Sequence, residues 1–390
     1  MCQYVKLLLF VITFSCMPIN MTSTSDTDEG NDISVDIREE ESYDEIYDLL
    51  EIDKVSYDLK KSGLNVKVDM KDMLDLIING DFNELGKLIL KNIRVILVDE
   101  LITNRALMIQ LISIVLIGSI FVNLSGSFGN GFISDNGFYI TYLIITSILL
   151  TSFTVSLELV SDSIEKILMF IRIIVPVYLV AMNFVGHAHT ALGMYEVIML
   201  IIWLVQTVII RFILPMIKFY VIISLINNFN KEDSFSRLCK LIKSIVNWIM
   251  KTVIIFIVGL NIIKSLINPQ IDALEKTTIN KVISAVPGGG ILSVLSSTFL
   301  GAGMIVKNGI GILGIIILLI VVLIPILKVF FLMLTVRLTS VVIQPIGEKR
   351  YVVGIEALAQ GMSMLLQTLA SSVVLFMLTI AIMTYAAGGG

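Results

Sequence analysis

Residues 310–334 read IGILGIIILLIVVLIPILKVFFLML, a run of 25 residues in which Lys328 is the one charge. As a helix this run would be about 37 Å long at roughly 1.5 Å per residue, enough to cross a hydrocarbon core of about 30 Å. Six further stretches are apolar over comparable lengths: 106–124, 138–156, 164–184, 197–226, 245–267 and 362–387. The stretch 287–306 is weaker. Its Gly, Ser and Ala content suits either a span packed among others or a re-entrant hairpin buried in protein. Across all 390 residues 56% are hydrophobic and 15% charged, whereas soluble chains average about 25% charged. So little polar surface cannot cover a water-soluble globule. The expected fold class is all-α: a polytopic integral membrane protein with about seven to eight transmembrane helices and a short helical extracytoplasmic N-terminal head.

Outward from the apolar body, 106–390, the chain divides into two further parts. Residues 1–25 have the layout of a signal peptide, with Lys6 as a minimal positive region ahead of the short apolar run Leu7 to Phe14. Residues 26–105 form the expected head. Between Asp26 and Asp58 stand 14 acidic residues against Arg38 and Lys54, a local net of −12 in a chain whose total is −4. The rest is therefore basic, by +8. An acidic head on a basic membrane body lacks the dense basic face outside the membrane that nucleic acid requires, so no nucleic acid is expected as a partner. Near 81–100, Asp81 and Glu84 have capping-box spacing, and Phe82, Leu85, Leu88, Ile89, Ile93 and Ile96 recur at helical intervals. Lys87, Lys91 and Arg94 lie on the opposite stripe, which would suit either membrane lipids of anionic charge or a partner helix.

Topology and charge conflict if every run crosses. Four crossings after a translocated head return 227–244 to the outer side, yet that loop holds Lys231, Arg237, Lys240 and Lys243, which the positive-inside tendency assigns to the cytoplasm. Either one early segment fails to cross, or 234–251 is an interfacial helix. In the second case Phe235, Leu238, Ile242, Ile245 and Ile249 face the lipid, and Trp248 sits at headgroup depth.

Charges inside apolar runs are expensive and mark polar paths or buried partners by default. Arg172, Arg211 and Lys328 are the candidate intramembrane charges, with Glu158 and Glu196 as counter-charges for the two arginines. Lys218 and Lys264 lie near the expected span ends, where snorkelling accounts for them. Ser293, Ser297 and Gly301 repeat at four-residue spacing, a ridge that favours close helix packing within the chain or between copies in a homo-oligomer. The run Pro287-Gly288-Gly289-Gly290 suits an unwound stretch. Gly309-Ile310-Gly311-Ile312-Leu313-Gly314 matches a dinucleotide-binding pattern, but a membrane span follows it at once, so helix packing explains it better. His187 and His189 stand two apart with no Cys or acidic cluster to complete a metal site, and no HExxH, GxSxG or Walker A element occurs. No catalytic residue, metal or cofactor is therefore expected, and the chain is read as a non-enzyme.

Three motifs in order carry a resemblance: Lys307-Asn308-x-x-Gly311-Ile312-Leu313-Gly314, Pro325-x-x-Lys328 and Gln344-Pro345-x-Gly347. Their order and spacing resemble the stage III sporulation protein AE family of endospore-forming Firmicutes, as does the layout of signal segment, short head and long apolar body. The resemblance implies a protein of the mother-cell membrane surrounding the forespore. It also implies partners among the other products of the same sporulation operon, and one on the forespore side. Together they would form a secretion-like channel complex that sustains the forespore. Lys307, Asn308, Gly311, Gly314, Pro325, Lys328, Gln344 and Pro345 carry over as family-pattern positions, structural in character.

The alternatives are a stand-alone permease or secondary transporter, and a non-conducting membrane scaffold. A transporter of repeated halves predicts broken helices at matching positions, and only 287–290 offers one. Among the charges, Lys328 stands three residues beyond Pro325, which can free a backbone carbonyl nearby. Lys328→Leu is expected to impair spore formation, scored as heat-resistant colonies, while membrane-inserted protein measured by immunoblot stays at the wild-type level. Normal sporulation in that variant would remove Lys328 from consideration.

Overall fold

The computed structural model describes residues 104–124, 131–184, 188–229, 234–284 and 289–386. The expected signal peptide and nearly all of the head, with its amphipathic helix near 81–100, lie outside the described residues. Every described element is a helix. In chain order they are α1 (Asn104–Leu124), α2 (Gly131–Phe184) and α3 (Ala188–Leu204). A π-helical segment, Val205–Ile213, then leads directly into α4 (Leu214–Phe229). After these come α5 (Ser236–Ser284), α6 (Gly289–Ile343) and α7 (Lys349–Ala386).

Six helical segments are long and apolar enough to cross a membrane among the described residues, with α3, the π segment and α4 counting as one. Two of the boundaries expected from the sequence fall inside continuous helices. The runs 138–156 and 164–184 share the unbroken helix α2, whose 54 residues reach about 81 Å. The polar stretch between them contains neither Gly nor Pro. Its hydroxyls satisfy themselves on their own helix: Ser156 Oγ donates to the Ser152 carbonyl at 2.9 Å and Ser163 Oγ to that of Leu159 at 2.5 Å. Lys166 pairs with Asp162 one turn back at 2.8 Å. Likewise 287–306 forms no separate span or re-entrant hairpin. From Gly289 onward its residues are the first turns of α6, continuous with 310–334. The expected interfacial helix at 234–251 is also absent, since those residues open the spanning helix α5. Its buried stripe runs Cys239, Ile242, Val246, Met250, Val253, while Phe235, Leu238 and Trp248 face outward.

The core is built around α7. In its most apolar stretch 67% of residues are buried, against 22–44% in the other five spans. It packs antiparallel along α6 and also touches α2, α4 and α5. Small residues let these backbones approach. A Cβ on Gly361 would collide with Val221 of α4, and one on Gly311 with Thr384 of α7. Outward-facing side chains are large and apolar, Ile117, Trp248 and Ile255 each more than two-thirds exposed. In water such a surface would aggregate; in a bilayer it faces acyl chains.

One end of the bundle gathers three connections. Ser134 Oγ donates to the Val122 carbonyl, joining α1 to α2. Tyr142 donates its hydroxyl to the Leu225 carbonyl at 2.8 Å, and Tyr139 packs on Phe229. Phe138 stacks on Tyr351 with ring centroids 5.0 Å apart, and Arg350 lies over the same Phe138 ring at 3.4 Å. The Asn227 side-chain oxygen accepts the Phe235 N–H at 2.7 Å, tying α4 to the start of α5. Arg237, Lys240, Lys243, Lys349 and Arg350 all belong to this end. Counting the continuous α2 as one crossing puts three rather than four before the basic α4–α5 connection. The conflict between parity and positive charge then disappears.

Two outcomes follow from this packing. Gly361→Val should cost about 1–3 kcal/mol through overpacking against Val221, seen as a lower unfolding midpoint of the purified protein in detergent. Single cysteines at Ser234 and Gln344, in a chain lacking Cys239, should resist a membrane-impermeant thiol reagent in intact cells, whereas one at Asn183 should react. Labelling of Ser234 from outside would return α2 to two crossings.

Candidate functional site

Midway along α2, Thr151 to Lys166 carries ten polar side chains in sixteen residues, and these sit between two clefts. On one side α2 meets α1 and α6 at a cavity of about 380 Å³. It is lined by Asn104, Thr151, Ser152, Ser156 and Lys328, with Val155, Leu159, Val329 and Leu332 as its apolar part. Lys328 reaches this level because it follows Pro325 by one helical turn on α6, and Asn104 because it begins the described part of α1. On the other side α2 meets the π segment and α4 at a cavity of about 440 Å³, where Glu158, Thr154 and Ser161 face Lys218 beside Ile210, Leu214 and Pro215.

The π segment has a local cause. Pro215 has no N–H, and its ring would press on the carbonyl of Arg211 in a regular α-helix. Widening the preceding turns relieves that contact, and the Leu214 N–H reaches back five residues to the Ile209 carbonyl. Pro176 inside α2 stands four residues beyond Arg172 in the same way. Each arginine thus sits at a backbone carbonyl that a proline leaves without its helical donor.

The candidate charges divide accordingly. Arg172 is exposed and donates to Gln206 Oε1 of the π segment at 3.2 Å, so its partner is an amide and not the expected Glu158 or Glu196. Glu158 instead faces Lys218 across the second cavity. Glu158, Glu165, Arg211 and Lys218 are exposed and make no hydrogen bond or ion pair among the described residues. Leaving each such charge inside an apolar band costs roughly 3 kcal/mol on insertion scales. Lys218 is exposed beside Glu158, and the Lys264 side chain lies outside the described residues.

The family-pattern positions fall on α6 and in the α6–α7 turn. Gly311 and Pro325 are buried in α6, Gly311 against α7. A Cβ on Gly314 would meet Ile380 of α7 at 3.9 Å, an ordinary contact. Asn308 is half-buried, with its side-chain oxygen unpartnered among the described residues. Gln344 and Pro345 are exposed in the α6–α7 turn, where the Gly347 N–H closes on the Ile343 carbonyl at 2.7 Å. A Cβ on Gly347 would lie 2.6 Å from the Ile343 side chain and 3.0 Å from Val115. Lys307, Ser293, Ser297 and Gly301 fall on α6, with side chains outside the described residues. Among the described residues no three His, Cys, Asp or Glu side chains come together as a metal would need.

The family profile of stage III sporulation protein AE matches residues 68–387, the whole of the described bundle and part of what precedes it. The chain belongs to the stage III sporulation protein AE family. It is 22% identical over 314 residues to the stage III sporulation protein AE of Bacillus subtilis (strain 168), an alignment covering 80% of this chain and 79% of that protein. No solved structure matches the chain. Membership gives this multi-pass membrane protein a role in sporulation. Sequence reading missed Asn104, Thr151, Ser152, Ser156 and Ser161 as members of the site. Their signal was the density of hydroxyls between two apolar runs, which reads as a span boundary until the helix is seen to continue.

Proposed function

We propose that this chain is the multi-pass membrane component of a secretion-like channel complex, running from mother cell to forespore and required for endospore formation. Its place would be the mother-cell membrane surrounding the forespore, and its partners the other products of the same sporulation operon together with a forespore-side protein. The observation that carries this reading is the family match over 68–387, which takes in the membrane bundle and extends into the region ahead of it. The polar cleft among α1, α2 and α6, with Lys328, Asn104, Thr151, Ser152 and Ser156 in its lining, is where a path for polar cargo would start. A non-conducting scaffold would need no such cleft.

Deleting the gene in its own host should leave engulfed forespores that lose reporter expression after engulfment and yield few heat-resistant spores. A functional fluorescent fusion should ring the forespore. Uniform fluorescence over the whole cell envelope, or a deletion strain that sporulates normally, would overturn the reading.

A further inference from the structure

One face of the bundle carries two parallel columns of unpaired charge. On α2, Glu158 and Glu165 stand seven residues apart on one exposed stripe, and Asp162 between them is already paired with Lys166. On the neighbouring π segment and α4, Arg211 and Lys218 also stand seven apart and are exposed. Seven helical residues rise about 10.5 Å, so the two columns have matching steps. Their depths match as well. Glu158 and Lys218 line one cavity, and Arg172 touches Gln206 about four turns further along α2. Because α4 runs antiparallel to α2, Glu165 then falls level with Arg211. Exposed apolar side chains border the columns, Val155 and Met169 on α2 and Phe212 and Phe219 on the other side. The charges therefore lie inside the apolar band of the surface rather than at its edge.

We infer that a second copy of this chain docks on this face, the two copies related by a two-fold axis along the membrane normal. Such an axis keeps depth and exchanges left for right. The acidic column of one copy therefore meets the basic column of the other at the same level, Glu158 opposite Lys218 and Glu165 opposite Arg211. This is the self-complementary condition that an isologous interface demands. All copies insert with one orientation, so an axis lying in the membrane plane is ruled out. Acyl chains would leave all four ions unpaired; a second copy pairs each with its opposite, and Val155, Met169, Phe212 and Phe219 close the seam against lipid. The pairing does not depend on the secretion assignment, because it asks only for this chain in a bilayer.

The test uses the full chain, labelled with two fluorophores and reconstituted at low density in phosphatidylcholine vesicles, with association read by energy transfer and stepwise photobleaching. Wild-type protein should bleach in two steps. Glu158→Lys and Lys218→Glu should each weaken self-association at least tenfold, because like charges then face one another in both seams. Mixing the two variants should restore wild-type pairing, since each copy supplies the charge that the other now lacks. That rescue can arise only between chains. Glu158→Gln and Lys218→Gln, which keep side-chain shape, should each weaken pairing in a protein of unchanged circular dichroism. Single-step bleaching of wild type, or undiminished pairing in the glutamine variants, would overturn the inference, as would no rescue on mixing two folded reversal variants.

Discussion

Inside a bilayer, burial of apolar side chains gives helices no reason to meet, because lipid tails are as apolar as leucine. Close approach and internal satisfaction of polar groups must hold the bundle instead, and both converge on α7. Gly361 and Gly311 admit neighbouring side chains to the backbone on two of its contacts. Three of the hydroxyls that α7 buries bond back along its own backbone. Thr368 donates to the Met364 carbonyl, Ser372 to that of Thr368 and Thr379 to that of Leu375, each at 2.9 Å. Asn261 of α5 then reaches Thr379 at 3.3 Å, one of the few polar contacts between helices in the core. Every other span uses α7 directly or through a neighbour as the surface on which it is ordered.

Much of this was legible in the sequence, and the failures have a common cause. Apolar runs located every spanning helix because length and hydropathy are properties of a single segment. Their limits were misread wherever a polar stretch was taken for a turn. Residues 157–165 look like a gap, yet a helix is broken by Gly, Pro or competing side-chain hydrogen bonds, and here Ser156 and Ser163 bond back along their own helix. The reverse held at 287–290, where Gly289 and Gly290 already belong to α6. Lys328 stood out because one charge in a 25-residue apolar run is visible without a fold. The partners of Arg172 and the approach of Glu158 to Lys218 were not visible. They depend on α2 and α4 lying side by side, which no spacing within either segment encodes.

Continuity of α2 has a wider effect than the count of spans. It carries hydroxyls and carboxylates from what looked like a surface loop to the middle of an apolar bundle, and so creates the polar level shared by both clefts. It also changes parity, which brings Arg237, Lys240, Lys243, Lys349 and Arg350 to one end with the aromatic cluster of Phe138, Tyr142 and Tyr351. Arg350 over the Phe138 ring, also bonded to Glu348 at 2.7 Å, anchors the start of α7 at that end.

The position of α7 in the chain has a consequence for how the molecule is made. The helix that the others pack against leaves the ribosome after α1 to α6 have already been threaded into the bilayer. Until it arrives those six pack on one another but lack the one surface that α2, α4, α5 and α6 all share. A stalled or truncated product would be a set of correctly oriented but loosely associated helices, open to membrane proteases, so the cell's quality control can distinguish finished from unfinished copies by whether α7 is in place.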